Sequence, residues 1–488
     1  MAFTIAAIDL YMRETPSPRM NFFIGKGKAV FPKHLRAISE VHMTVMTNDG
    51  RSTFGCSADW PSVGWLDKRD GITPEQKLVG LLDLVQFAAN VYLGEGGNGF
   101  TSPFALWHAC YLQILAEGRR RGLEDLSSAF ASSMLERALI DGVCRLENAS
   151  FLAALKQDLL QIRAGDVHPS LANVSGYSSL PDYARSQLAI RHTVGLADPL
   201  VDADLSADDR VDDGEPETLE EYIRQDGLTH FKIKVSGDTE EAMDRLCRIW
   251  SIIVNEDVSA PYVTLDCNEA YADLEELDRF VAVLGDQLPE LFHRIALIEQ
   301  PLPRSMQVDA SASSVLRRIA ARKPLIIDEG DGTVEAFREA QSLGYSGVSH
   351  KNCKGVFKSL VNRMLCDQWN ASGVAAMMSA EDLTHMPIVS LHQDFATVAA
   401  LGLDNAERNA HHYFYGVSHL TEDERASVAG DYPGVYTERR GEWFIDIRSG
   451  EVDCSSILSA VGFGVLREPD WSAMTAMGVW NRNLAENS

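Results

Sequence analysis

The sequence predicts an α/β fold: a (β/α)8 TIM-like barrel beneath an α+β capping domain built from the N-terminal region and the C-terminal tail. Three features of the 488 residues carry that prediction. From about residue 185 to 415, short β-branched runs alternate with amphipathic stretches, as in a parallel sheet closed on itself. Charged residues end successive apolar runs at intervals that each hold one strand–helix unit. The two flanking regions lack this alternation.

Residues 1–185 form the N-terminal part of the cap. Val41–Thr47 alternates like an antiparallel strand, and Pro74–Tyr92 and Leu126–Leu146 read as long helices. Residues 186–418 form the barrel. Its candidate strands are Leu188–Val194, His230–Val235, Tyr262–Asp266, Arg294–Glu299, Leu325–Asp328, Gly347–His350, Val374–Ser379 and His411–Tyr415. Helical patterns lie between them over Glu240–Asn255, Leu274–Leu284, Ala312–Ala321, Thr333–Leu343 and Val356–Ala371. In the first, Met243, Leu246, Trp250 and Ile253 recur at three- and four-residue spacing and make one apolar stripe. Residues 419–488 are mixed and carry Trp443, Phe444, Trp471 and Trp480; they are expected to pack with the N-terminal region over the barrel mouth.

A hydrophobic fraction of 45% and a charged fraction of 23% are those of an ordinary globular protein. A chain this long buries a core that needs no disulfide staples. The formal net charge of −26 repels phosphate backbones and anionic bilayers, so neither nucleic acid nor membrane is an expected partner. An anionic small-molecule substrate stays open, because the local field in a cleft can oppose the net charge. Eight scattered cysteines without a C-x-x-C pair read as reduced thiols of a cytoplasmic protein. The N-terminus has no basic leader and meets Asp9 early, which reads as a first strand rather than a signal peptide. No run of about 18 apolar residues suggests a membrane span. A homo-oligomer is expected.

Chemistry enters at the strand ends. Lys232 and Lys234 are two apart in a strand and so share a face. Asp266 ends the third strand, Glu299 the fourth and Asp328 the fifth, and Lys351 follows the sixth directly. From Lys234 onward the steps are 32, 33, 29 and 23 residues, one βα unit each. The C-terminal strand ends of a barrel form its active-site face, so these charges converge on one mouth. Three converging carboxylates repel one another unless a cation intervenes, and a hard divalent ion such as Mg²⁺ suits an all-oxygen set with open positions. The lysines supply acids and bases, since desolvation and a nearby metal can lower a lysine pKa. Glu329 and Lys354 read as supporting ion pairs. Asn268 either orients Asp266 or a bound water, or caps a turn.

In its K-x-K (Lys232, Lys234), D-x-N (Asp266, Asn268), E-Q-P (Glu299), D-E (Asp328) and post-strand Lys351, the chain resembles the enolase superfamily, in its mandelate racemase/muconate lactonizing branch. The resemblance spans roughly residues 185–415. It implies Asp266, Glu299 and Asp328 as Mg²⁺ ligands, with proton removal next to a substrate carboxylate and an enediolate stabilised by the metal. It further implies Lys234 as base on one substrate face, Lys232 as tuning its pKa, and Lys351 as acid or base on the other face. That two-lysine pattern resembles the muconate lactonizing and dipeptide epimerase subgroup. Strand seven ends near Glu381 and Asp382, and His385 lies beyond the place where a His–Asp subgroup would want its histidine.

Substrate contacts are expected from Trp65, Asn268, Glu381, His411 and His412, with strand alternation letting only one of the two histidines point inward. Flaps are expected at Trp60–Trp65 and at the glycine-rich Gly94–Phe100. Racemisation or epimerisation of a small carboxylic acid is favoured because both lysines are present. Dehydration and cycloisomerisation use the same apparatus, a catalytically silent binding protein is a further alternative, and a Schiff-base hydrolase or aldolase would use Lys234 or Lys351 covalently.

Overall fold

The computed structural model describes residues 2–20, 32–174, 181, 184–305 and 310–487. The cap is an antiparallel sheet of β1 (Phe3–Glu14), β2 (Ala37–Thr47) and β3 (Ser52–Asp59), backed by helices α1 (Pro74–Gly96), α2 (Pro103–Arg120) and α3 (Asp125–Leu146). The alternation over residues 41–47 is explained by Val41, Met43 and Val45, which bury completely on the helical side. Helix α1 starts where Thr73 and Gln76 exchange side-chain and backbone bonds around Pro74, which satisfies otherwise orphaned N–H groups. Helix α3 is enclosed on nearly every side, burying even Glu136, Arg137 and Asp141, and it lies directly on β3. A Cβ at Gly55 would meet the Ala138 carbonyl oxygen, and the Gly142 nitrogen at 2.7 Å.

Helix α1 is long and apolar enough to cross a membrane by length and composition alone. Here Leu78, Leu81, Leu82, Leu84 and Val85 bury it in the cap core.

The barrel strands are β4 (Gln187–Val194), β5 (His230–Lys234), β6 (Tyr262–Asp266), β7 (Ile295–Glu299), β8 (Leu325–Ile327), β9 (Gly347–His350), β10 (Met377–Ala380) and β11 (Asn405–Arg408). They pair in parallel in chain order, and β11 returns to pair with β4. The far ends of this order, β10 and β11, also lie against each other, so the strands close into a ring. Its remaining seam, between β10 and β11, is stitched beyond the strand ends. The Asp382 amide donates to Glu407 at 2.9 Å, and the Asn409 amide to Asp382 at 2.9 Å. Asp238 and Asp273 cap the helices Thr239–Asn255 and Leu274–Gln287 that follow β5 and β6.

The eighth strand is a correction. It is Asn405–Arg408, not His411–Tyr415, and Ala410–Tyr413 is a short helical turn. The reason is the barrel interior, which is charged at this level. Glu407 and Asn405 therefore point inward from a strand with little apolar character.

The tail joins both parts. After the hairpin β12 (Tyr436–Arg439) and β13 (Glu442–Ile445), β14 (Glu451–Asp453) adds antiparallel to β4. Then β15 (Thr475–Ala476) adds to β1 as the edge of the cap sheet. All eight cysteines are free thiols. Gly94–Phe100 is no flap: α1 runs to Gly96, and Phe100 pairs with Phe3 at the sheet margin.

Candidate active site

Lys234, Asp266 and Glu299 are register partners across β5, β6 and β7, so their side chains stand side by side at one level. Asp328 follows β8 immediately. Its place is fixed by Gln300, whose Oε1 accepts from the Asp328 amide at 2.8 Å and the Gly330 amide at 2.9 Å. The loops after β6 and β7 take left-handed backbone at Asn268 (φ +42°), Glu269 (φ +69°) and Gln300 (φ +34°). Strain of this kind persists where surrounding contacts over-determine it. The Asn268 amide donates to Asp266 Oδ1 at 2.9 Å, and its side chain donates to Glu329 Oε1 at 2.9 Å. Asn268 thus ties two carboxylates together rather than capping a helix.

Below this level lies a cage around Lys232. Its ammonium donates to Glu299 Oε1 (2.9 Å), Glu381 Oε2 (2.7 Å) and Glu407 Oε2 (2.8 Å), and it lies 2.9 Å from Asp266 Oδ2. Arg191 reaches from β4 to Ser379 and Asn405, each at 3.0 Å, and pairs with Glu381. Burial alone would push the Lys232 ammonium down, but its four carboxylates outweigh that and hold it well above the ordinary lysine value. Glu381 accordingly sits in the barrel floor with both oxygens engaged, which corrects its placement as a substrate contact.

On the far side, Lys351 Nζ lies 2.9 Å from Asp328 Oδ2, and Lys354 Nζ 3.1 Å from Asp328 Oδ1. Trp65 covers Lys351, with its ring centroid 4.1 Å from Nζ, and its indole N–H donates to Glu329 at 3.1 Å. Burial acts on Lys351 in the direction expected from sequence, yet Asp328 beside it prevails and raises its pKa. Burial likewise raises Asp328, but Lys351 and Lys354 outweigh it and hold that carboxyl well below its ordinary range. Glu299 goes the other way: burial, then Asp266 and Glu381, push it well above.

The arrangement has two chemical properties. The two lysines rise from strands four places apart in an eight-strand ring, so Lys234 and Lys351 face each other across the mouth. Between them stand Asp266, Glu299 and Asp328. Glu299 Oε2 and Asp328 Oδ2 are buried, touch lysines only as ion pairs, and have no aligned hydrogen-bond partner. These two buried carboxylate oxygens without a hydrogen-bond partner, beside Asp266 on the neighbouring strand, make a donor set that suits a hard divalent cation.

His411 and His412 both leave the strand alternation and meet His192 at the β4–β11 edge of the mouth. Sequence reading missed Gln300, Arg191 and Glu407. Arg191 did leave a signal, a lone cation inside an apolar strand. Glu407 was hidden by the misplaced eighth strand.

No family model and no curated protein matches the chain. Solved structures do. A mandelate racemase/muconate lactonizing enzyme from Bordetella bronchiseptica superposes with a TM-score of 0.58 at 15% identity, covering 97% of this chain and 99% of that one. An enolase from Bradyrhizobium complexed with magnesium and mandelic acid gives 0.55 at 17% identity, covering 97% and 98%. A dipeptide epimerase from Enterococcus faecalis complexed with Mg and L-Leu-L-Tyr gives 0.52 at 14% identity, covering 86% and 93%. At such identities the likeness establishes the fold alone, a capped α/β barrel.

Proposed function

We propose that this chain is a Mg²⁺-dependent enzyme of the enolase superfamily that removes a proton α to a carboxylate, as a racemase or epimerase of a small carboxylic acid. The observation that carries the reading is the opposition of Lys234 and Lys351 across three carboxylates, two of which keep a buried oxygen without a hydrogen-bond partner. Asp266, Glu299 and Asp328 hold Mg²⁺, which supplies positive charge where the substrate carboxylate gains electron density. Lys234 takes the α-proton from one face, and Lys351 returns one from the other. Lys232 keeps the floor neutralised, Asn268 and Glu329 orient the rim, and Trp65 keeps water from Lys351. Mandelate and a dipeptide, named with the similar structures, are the substrate sizes to try first. Residues 186–418 form the catalytic unit, with 1–185 and 419–488 as its cover, in a homo-oligomer.

The test is incubation of 2-hydroxy acids and dipeptides in D₂O with Mg²⁺. Deuterium should enter the α-carbon, with loss of optical rotation, only when Mg²⁺ is present. Water loss or ring closure instead would make the enzyme a lyase or cycloisomerase. Absence of exchange across the panel, with Mg²⁺ demonstrably bound, would sink the proposal.

A further inference from the structure

Three imidazoles converge outside the carboxylate site. His192 lies near the end of β4, and His411 and His412 occupy the helical turn that follows β11. Because β11 pairs with β4, with Arg408 opposite His192, the ladder itself brings the two segments together. One nitrogen from each ring lies within 4.8 Å of the other two, and among the described residues this is the one such His/Cys/Asp/Glu group. His192 Nδ1 and His411 Nε2 are 3.2 Å apart.

That contact is a hydrogen bond between two of the rings, and it leaves the rest of the cluster unexplained. His411 Nδ1 and both nitrogens of His412 are buried without a hydrogen-bond partner, and an unpaired buried polar atom costs about 1–3 kcal/mol. Burial, and then the neighbouring rings, hold His192 and His412 well below the ordinary histidine value, and burial first of all lowers His411 to about 4. Geometry agrees with coordination. With M–N bonds of about 2.0–2.1 Å, two ligands of a tetrahedral ion lie about 3.3 Å apart, close to the observed separation. His411 also lines a cavity with Tyr222, Met386, Phe414 and Arg439. Asp198 Oδ2 stands 3.9 Å from His412 Nε2, a negative charge placed to offset that of a cation.

We infer that His192, His411 and His412 form a second metal site, for a borderline divalent ion such as Zn²⁺, with a fourth position open to water or an anionic group. Three imidazoles with no oxygen ligand select Zn²⁺ over Mg²⁺, as the carboxylate site does not. The inference is independent of the proposed reaction.

The experiment is equilibrium dialysis of chelator-stripped full-length chain against micromolar Zn²⁺ in millimolar Mg²⁺, with metal counted per chain. One Zn²⁺ should be retained. His192→Ala and His411→Ala should each weaken retention by more than about 100-fold, beyond the effect of losing an outer partner. Asp328→Asn should leave it in place. X-ray absorption of the unaltered Zn²⁺-loaded chain, which needs no variant to fold, should show nitrogen-rich ligation with imidazole outer-shell scattering. Failure to retain Zn²⁺, retention lost in Asp328→Asn but kept in His411→Ala, or oxygen-only ligation would each overturn the site.

Discussion

Asp266 Oδ2 is shared by two lysines of one strand, with Lys234 Nζ 2.5 Å away and Lys232 Nζ 2.9 Å away. Its other oxygen accepts the Asn268 amide. The carboxylate is thus aimed before any cation arrives, and the freer oxygens belong to Glu299 and Asp328. Mg²⁺ should therefore depend on those two for capture. A ligand present at 100 times its Kd stabilises the folded chain by about 2.7 kcal/mol. Melting in a Mg²⁺ titration should show this rise in the unaltered chain and none in Glu299→Gln or Asp328→Asn. Lys234→Ala should keep the rise yet stop α-exchange from one face. Full turnover in that variant would remove Lys234 from the role of base.

Lys232 is the counter-charge of the barrel floor. Removing one partner from a buried charge network costs about 3–5 kcal/mol, because the other charges stay buried. Lys232→Met should lose stability on that scale in urea unfolding. Adding Glu381→Gln and Glu407→Gln should recover part of the loss, since each removes an uncompensated carboxylate. A triple variant no more stable than Lys232→Met would argue against the cage.

Trp65 acts on two charges at once, so its parts can be separated. Trp65→Phe keeps a ring over Lys351 but leaves Glu329 with Asn268 as its remaining hydrogen-bond donor. The lost bond at a buried carboxylate should cost about 1–3 kcal/mol. Trp65→Leu should lose a further contribution of about 0.5–2 kcal/mol from the cation–π contact, and slow proton return from the Lys351 face. Equal stability of the two variants would mean that the ring face contributes nothing.

The barrel and the carboxylates at its mouth were legible because they obey two short-range rules. Apolar runs such as Val263–Leu265 and Leu297–Ile298 mark strands, and a charge at their ends marks the mouth. The rules failed where the interior itself is charged. Asn405–Arg408 reads as polar loop, and only a cage of Lys232, Arg191 and Glu381 makes that strand possible. Gln300 was invisible for another reason. Its function is to hold Asp328 from a neighbouring strand, and such a contact has no local periodicity. The histidine trio needed the β4–β11 pairing, which joins residues more than two hundred apart in sequence.

Acid sensitivity should come first from buried histidines. His392 is fully buried, with Nδ1 3.0 Å from the Gly464 carbonyl oxygen and Nε2 2.7 Å from the Tyr436 hydroxyl. Burial lowers its pKa to about 3, against about 6.5 in an unfolded chain. Above the unfolded value the ring is neutral in both states, so its contribution to stability is complete there. As pH falls, the unfolded chain takes up a proton that the folded chain refuses, and stability declines by about 1.4 kcal/mol per pH unit until the folded pKa is reached. Glu136 opposes this trend. Burial raises it to about 8, so its contribution is full at low pH and is lost as pH rises from its unfolded value through 8. The net slope of the unaltered chain therefore mixes both. Comparison with His392→Phe isolates the histidine, because Glu136 titrates alike in each. Urea unfolding between pH 6 and 4 should show slopes of stability against pH that differ by about one proton, the variant losing less stability or gaining more as the pH falls, whatever its stability at pH 8. Parallel slopes would mean that His392 already carries its proton in the folded chain.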